Sequence, residues 1–271
     1  MSISRVENSS SLLRYGALLK TTMRAHCCNL RVVRQIFIAT AIYQPPIAST
    51  SMKDSLIARP HIFVSSLLAV AAAWFVLFSG VGEFSARIGS LYFWPAITLV
   101  CGAMILFVMR TTELRSVPKG NNIVRNIGRG LLHGLFFSAL TVATLVAARE
   151  FIPLMYDHVH TLFELRNQLP ATIIALILVA AVAPAEELFW RGYVQSVFSQ
   201  RMSPANGVAA MAATDAVVHM ATGSYVLVVA AAFFGWQWGL LRNSTQSLVP
   251  CVISHAVWDL CVFLVYPTVI S

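Results

Sequence analysis

Charged residues are scarce in this sequence: Asp, Glu, Lys and Arg make up only 11% of its 271 residues, whereas hydrophobic residues make up 58%. Soluble domains carry about 25% charged residues. The shortage excludes an ordinary soluble domain and indicates a protein that crosses a lipid bilayer several times. We expect no nucleic-acid partner, because membrane topology explains the net charge of +8.

Paired cysteine motifs are also lacking. The five cysteines contain no Cys-x-x-Cys spacing, and three of them lie in apolar runs, where a free thiol behaves as a small hydrophobic group. The sequence shows no internal repeat and no separate soluble domain. We therefore expect neither a disulfide framework nor a second folded domain.

Long apolar runs dominate the rest of the chain. A helix needs about 20 apolar residues to cross a hydrocarbon core of ~30 Å. The sequence therefore predicts an all-α fold, a polytopic membrane helical bundle of about seven transmembrane helices. The fifth and sixth runs are short and close together, which suits one tilted or partly re-entrant segment. The runs are 62–80, 88–109, 131–148, 171–189, 204–220, 224–241 and 248–266.

Lys and Arg lie mainly in the segments that would share one side of the membrane. If the N-terminus is cytosolic, sixteen of the nineteen Lys and Arg residues lie in segments on the cytosolic side. Such an excess follows the positive-inside rule for multi-pass proteins. We therefore expect an integral protein of the cell membrane, surrounded by lipid, with a cytosolic N-terminus.

Residues 1–60 differ in composition from the membrane domain expected at 61–271. They carry eight Lys or Arg but only two acids, Glu7 and Asp54. This composition predicts a basic, disordered arm. Two other origins stay open: an organellar transit peptide, or a start assigned upstream of Met52.

Two adjacent acids and an arginine end the apolar run that begins at Ala171. They are Glu186, Glu187 and Arg191. A charged side chain near the bilayer centre costs roughly 2.5–3.5 kcal/mol on insertion scales. Such groups therefore indicate catalysis, a substrate path or a proton relay. A buried ion pair that only fixes helix packing is the alternative.

Helical spacing separates the roles of the two acids. Glu187 and Arg191 are i,i+4 and share a face, so they can pair. Glu186 and Arg191 are about 140° apart around the axis, so Glu186 keeps a freer carboxylate and is the candidate general base. Pro184 lacks an N–H and is expected to open the helix just before Glu186.

Two acid–histidine pairs lie in later apolar runs. Asp215 and His219 are i,i+4, and so are His255 and Asp259. An acid one turn away can fix a histidine's tautomer and raise its basicity, which makes Asp215 a supporting residue for His219. The alternative is a hydrogen-bonded core histidine without a catalytic role.

These motifs occur in a set order. Glu-Glu-x-x-x-Arg spans 186–191, a helix ending in His219 follows, and His255-x-x-x-Asp259 comes last. This order resembles the CPBP (Abi) family of intramembrane proteases, which includes type II CAAX prenyl endopeptidases and bacteriocin-processing proteins. The resemblance covers about 170–262, the expected protease core.

The resemblance implies an intramembrane endopeptidase with a polar cavity that opens toward the cytosol. Its substrate would be a membrane-associated protein or peptide, with a prenylated CAAX-type protein as the archetype. By resemblance, Glu186 and His219 activate a water, while His255 and Asp259 stabilise the oxyanion. Peptide hydrolysis needs such a base and such donors.

The resemblance leaves metal dependence open, because the family has been described both as metal-dependent and as glutamate-type. The sequence contains no His-Glu-x-x-His motif, the pattern of many helical zinc sites. Glu186, His219, His255 and Asp259 nevertheless offer nitrogen and oxygen ligands that zinc accepts. Zinc therefore stays a candidate cofactor, and a glutamic protease and a metalloprotease are both open.

Two positions depart from the family pattern. Asp215 stands where Phe is usual, and Asp259 stands where Asn is commoner. The first departure leaves open the interpretation that the protein is a catalytically silent family member that acts as an immunity or scaffold protein. A proton-coupled transporter that uses the same acids as a relay is the third interpretation.

Overall fold

The computed structural model describes residues 60–78, 93–111 and 122–267. The basic arm predicted at 1–60 lies outside these ranges except for Pro60, so its disorder and its alternative origins stay predictions. Within the described ranges the regular secondary structure is helical and contains no strand. The predicted fold class, an all-α membrane bundle, is confirmed.

Eight helices of more than ten residues occur in the described part of the chain. Seven of them overlap the seven predicted apolar runs, and the helix named α4 was not predicted. Short 3₁₀ turns lie after α4 and after α6. The helices are α1 (Pro60–Phe78), α2 (Phe93–Thr111), α3 (Ile123–Phe151), α4 (Pro153–Phe163), α5 (Ala171–Ser199), α6 (Pro204–His219), α7 (Tyr225–Thr245) and α8 (Val249–Val265).

Five helices in the described ranges are long and apolar enough to cross a membrane: α1, α2, α3, α5 and α7. The other two predicted spans fall below that length: α6 has 16 residues, and α8 is a short apolar helix. Sixteen residues rise about 24 Å, which is less than a hydrocarbon core of ~30 Å. A left-handed Gly223 with φ of 71° ends the turn after α6.

The segment 149–170, which the sequence predicts as an outside loop, is largely helical. Ile152 adopts φ of −139° and separates α3 from α4. A residue before proline is pushed out of the helical region, and Pro153 then suits the first turn of the new helix. Val159 and Phe163 bury α4 against the end of α8.

Helix α5 is irregularly wound where it carries the two acids. Leu178–Val182 and Glu187–Val194 are π-helical, and Pro184 lies between them. Pro184 cannot donate a hydrogen bond to the preceding turn, which accounts for the opening that the sequence predicts. Wide π turns frequently occur at functional sites.

Glycines allow two pairs of helices to lie close together. A Cβ atom added at Gly239 on α7 would lie 2.8 Å from Cγ1 of Val208 on α6. A Cβ atom added at Gly130 on α3 would lie 2.8 Å from the carbonyl oxygen of Pro250 on α8. Small residues permit this backbone approach, which fixes the two helices that carry the histidines.

Candidate active site

A polar cavity of about 160 Å³ lies among α1, α2, α5, α6, α7 and α8. It brings together side chains that the sequence places on three separate helices. The predicted site residues that line it are Glu186, Arg191, Asp215, His219, His255 and Asp259. Five aromatic side chains complete the wall: Trp74, Phe78, Phe234, Trp238 and Trp258.

Glu186 and His219 line the same cavity although their helices run in opposite directions in the predicted topology. Such a meeting requires the helix that begins at Ala171 to continue past Arg191. Helix α5 does so and ends at Ser199. The extension places Glu186 well inside the helix, beside the end of α6.

The Glu186 carboxylate has no protein partner among residues 60–78, 93–111 and 122–267. It forms neither a hydrogen bond nor an ion pair there, although it lines the polar cavity. Arg191, the nearest base in sequence, is instead engaged with Glu187. The spacing argument that left Glu186 as the freer acid therefore agrees with the geometry.

Glu187 and Arg191 form a buried ion pair. Nη1 of Arg191 donates to Oε1 of Glu187 at 3.1 Å, and the two side chains are 1% and 0% exposed. Nη2 of Arg191 also donates to the carbonyl oxygen of Phe234 at 3.1 Å and lies 3.8 Å from Oδ2 of Asp215. Arg191 therefore ties α5 to α6 and α7.

His219 is oriented by Asp215 through two oxygens. Its Nδ1 lies 2.9 Å from the backbone carbonyl of Asp215 and 3.0 Å from Oδ1 of the same residue. A carbonyl oxygen can only accept a hydrogen bond, so Nδ1 carries a proton. The other ring nitrogen, Nε2, is then left for a ligand in the cavity.

His255 takes its nearest acidic partner from another helix. Its Nδ1 donates to Oε1 of Glu187 at 2.9 Å, whereas its Nε2 lies 3.7 Å from Oδ2 of Asp259. The second distance is too long for a hydrogen bond. The spacing predicts Asp259 as the orienting partner, but Glu187 holds the ring more closely.

Trp238 is a site residue that the sequence did not single out. Its ring stacks on the His255 ring with centroids 4.2 Å apart and planes 19° apart. The guanidinium carbon of Arg191 lies 5.1 Å from the same indole. No local spacing in the sequence relates Trp238 to His255.

The candidate zinc ligands do not gather into a metal site. In the part of the chain that the structure describes, no three His, Cys, Asp or Glu side chains come close enough together to hold an ion. The Nδ1 atoms of His219 and His255 are engaged with Asp215 and Glu187, which leaves only their Nε2 atoms as nitrogen ligands. The residues present do not fit a zinc ion, and the hydrolysis considered for this site involves no metal.

A second cavity of about 490 Å³ adjoins the polar one and is lined almost entirely by apolar side chains. Both cavities share Ile97, Phe234, Trp258 and Asp259 on their walls. An apolar chain of a bound molecule could therefore lie directly beside the polar groups.

Residues 167–261 match the family model described as Type II CAAX prenyl endopeptidase Rce1-like. The matched segment contains α5, α6, α7, most of α8 and all seven predicted site residues. The resemblance inferred from the three motifs is confirmed over this part of the chain. Comparison with curated proteins and comparison with solved structures each gave no significant match.

Proposed function

From the Rce1-like character of residues 167–261, we propose that this integral, multi-pass membrane protein is an endopeptidase. It hydrolyses a peptide bond of a membrane-associated protein at the polar cavity, in the manner of a CAAX-type protease. The observation that carries the proposal is the Glu186 carboxylate, which has no partner among the described residues and lines one cavity with His219 and His255.

Glu186 and His219 together activate the attacking water. The water donates one proton toward the Glu186 carboxylate and the other toward Nε2 of His219, since Nδ1 of His219 already donates to Asp215. Its oxygen then attacks the scissile carbonyl carbon. Glu186 takes the proton that the water loses and delivers it to the departing amine, so one group acts first as base and then as acid.

His255 stabilises the negative charge that develops on the carbonyl oxygen. Nδ1 donates to Glu187, so a ring protonated at both nitrogens directs Nε2–H toward the cavity. A preorganised donor in a site without bulk water is worth far more than the same donor in water. Asp259 lies 3.7 Å from Nε2 and assists either as a carboxylate that favours the doubly protonated His255 ring or as a neutral donor.

The adjoining apolar cavity supports a lipid-associated substrate. A peptide bond bound at Glu186 would place neighbouring apolar groups of the substrate against Phe234 and Trp258, which line both cavities. A prenylated protein that ends in a CAAX-type sequence has such groups next to its cleavage site. We propose that the protein acts in the cell membrane with its N-terminus on the cytosolic side. Lys and Arg are concentrated in the segments that this orientation places in the cytosol, as the positive-inside rule requires.

The alternative of a catalytically silent scaffold rests on Asp215, which stands where the family usually has Phe. Asp215 contacts Nδ1 of His219 and faces Arg191. These contacts favour an acid that orients a catalytic histidine. We therefore propose that Asp215 serves hydrolysis although it departs from the family pattern.

The proposal is tested with the full chain reconstituted in liposomes. The probe is a prenylated, quenched fluorescent peptide that ends in a CAAX-type sequence, and mass spectrometry locates the cut. The parent protein should cleave the probe, Glu186→Gln should not, and the exposed Glu150→Gln should match the parent. Cleavage by Glu186→Gln at the parent rate would overturn the proposal, and no cleavage by the parent would favour the silent scaffold.

A further inference from the structure

The indole of Trp238 touches two groups of the proposed site at once. It stacks on His255 at 4.2 Å and 19°, and the Arg191 guanidinium lies 5.1 Å from its centroid. Trp238 is 4% exposed. A flat surface against an imidazole fixes the plane of the ring, so the indole limits the directions in which the nitrogens of His255 can point, and the contact with Glu187 selects one of them.

Trp238 is itself held in place by a hydrogen bond. Its Nε1 donates to Oγ of Ser254 at 2.9 Å, and the same oxygen lies 2.8 Å from Nδ1 of His133. An indole N–H can only donate, so Ser254 must accept. Ser254 directly precedes His255 on α8. Helix α8 therefore contacts the indole through two successive residues: Ser254 accepts its hydrogen bond, and His255 stacks on its ring.

Trp236 shows that this arrangement is specific to one tryptophan. Both tryptophans lie in the same segment of α7, but Trp236 is 40% exposed whereas Trp238 is 4% exposed. Trp236 lines neither the polar nor the apolar cavity. It offers a matched control for the removal of an indole from α7.

We propose that Trp238 is a positioning residue: its indole, anchored by Ser254, holds the His255 ring with Nδ1 toward Glu187 and Nε2 toward Asp259. The catalytic consequence rests on the proposed function, but the orientation of the ring does not. In this proposal Trp238 acts through His255.

The kinetic test compares variants on the prenylated peptide probe. Trp238→Leu should lower kcat by about ten- to a hundredfold, the scale on which a misplaced catalytic group costs rate, with KM within about twofold of the parent. Trp238→Phe keeps a flat ring and should recover most of the activity. Trp236→Leu should match the parent. An equal loss in Trp236→Leu, or a loss confined to KM, would contradict the proposal.

A spectroscopic test reports on the orientation of the His255 ring and does not require peptide cleavage. The full chain is labelled with ¹⁵N-histidine in lipid nanodiscs, and His255→Gln assigns the His255 signals. Trp238→Leu should shift or broaden these signals and leave those of His219 in place, while Trp236→Leu should change neither. Unchanged His255 signals in Trp238→Leu would overturn the proposal even if the protein is an active protease.

The hydrogen bond between Trp238 and Ser254 provides a milder pair of variants in case Trp238→Leu does not fold. Ser254→Ala and Trp238→Phe each remove one partner of the same hydrogen bond. Both should shift the His255 signals in the same direction, and the double variant should add no further shift. Additive shifts, or none, would mean that the bond does not hold the ring.

Discussion

Nδ1 of His255 lies 2.9 Å from Oε1 of Glu187, and the same carboxylate oxygen accepts from Arg191 at 3.1 Å. Glu187 therefore joins the ion pair of α5 to the histidine of α8. The spacing predicts the contact between Glu187 and Arg191, and the structural role of Glu187 remains a prediction, together with a role in orienting a proposed catalytic group.

Glu187→Gln should lower both stability and activity. The change leaves Arg191 buried beside a neutral partner and weakens the hydrogen bond to His255. The loss of one member of a buried pair typically costs about 3–5 kcal/mol. Thermal unfolding in detergent should show a clear drop in Tm, with Glu150→Gln as the exposed control. A Glu187→Gln protein as stable as the parent, beside an aggregating Glu186→Gln protein, would show that the two roles are reversed.

Asp215→Asn should reduce kcat while the protein remains folded. Asn keeps the size of the side chain but loses the charge that faces Nδ1 of His219 at 3.0 Å. Hydrogen bonds to charged groups are worth about 1.5–3 kcal/mol, so kcat should fall by roughly tenfold or more. Asp157→Asn on α4 is the control.

Asp215→Phe, which restores the usual family residue, should behave differently. Phe removes the carboxylate that faces Nη2 of Arg191 and Nδ1 of His219, and it places a larger, uncharged side chain at a position that is only 3% exposed. We expect a lower Tm and no gain in activity. An active and stable Asp215→Phe protein would mean that the acid is dispensable and would support a silent parent.

Asp259→Asn should keep activity within about tenfold of the parent, because Glu187 rather than Asp259 holds His255 and Asn can accept or donate at the same place. Metal analysis of the purified protein accompanies the kinetic measurement. Stoichiometric zinc in the parent, lost together with activity in Asp259→Asn, would overturn the metal-free mechanism.

The segment 110–130 should lie on the cytosolic side of the membrane. It contains five Lys or Arg residues, and such clusters are retained inside. A cysteine placed at Lys119 should resist a membrane-impermeant thiol reagent in intact cells and react after permeabilisation. A cysteine placed at Glu164 should react in intact cells. The reverse pattern would invert the proposed topology.

Of the three i,i+4 pairs predicted within one helix, two form close contacts, whereas contacts between helices could not be predicted from the sequence. The pairs Glu187–Arg191 and Asp215–His219 follow from i,i+4 spacing, and both are present. The contact from His255 to Glu187 spans 68 residues and depends on how α8 packs. No local pattern contains that information.

The fold shows the same division between local and tertiary effects. Apolar length predicted where helices occur and Pro184 predicted a disturbance in α5, but neither predicted the π-helical winding on both sides of this proline. Helix α4 was missed because its 11 residues are too few for a span. The stacking of Trp238 on His255 arises only when α7 and α8 pack together.

A double-mutant cycle measures whether Glu186 and His219 act on one water. Glu186→Gln, His219→Gln and the double variant are compared with the parent for cleavage of the prenylated peptide in liposomes. The losses of activity from residues that act as a unit are strongly non-additive. Each single variant should therefore lose nearly all activity, and the double variant should lose no more. Losses that multiply, or a single variant that retains the parent rate, would contradict this joint action.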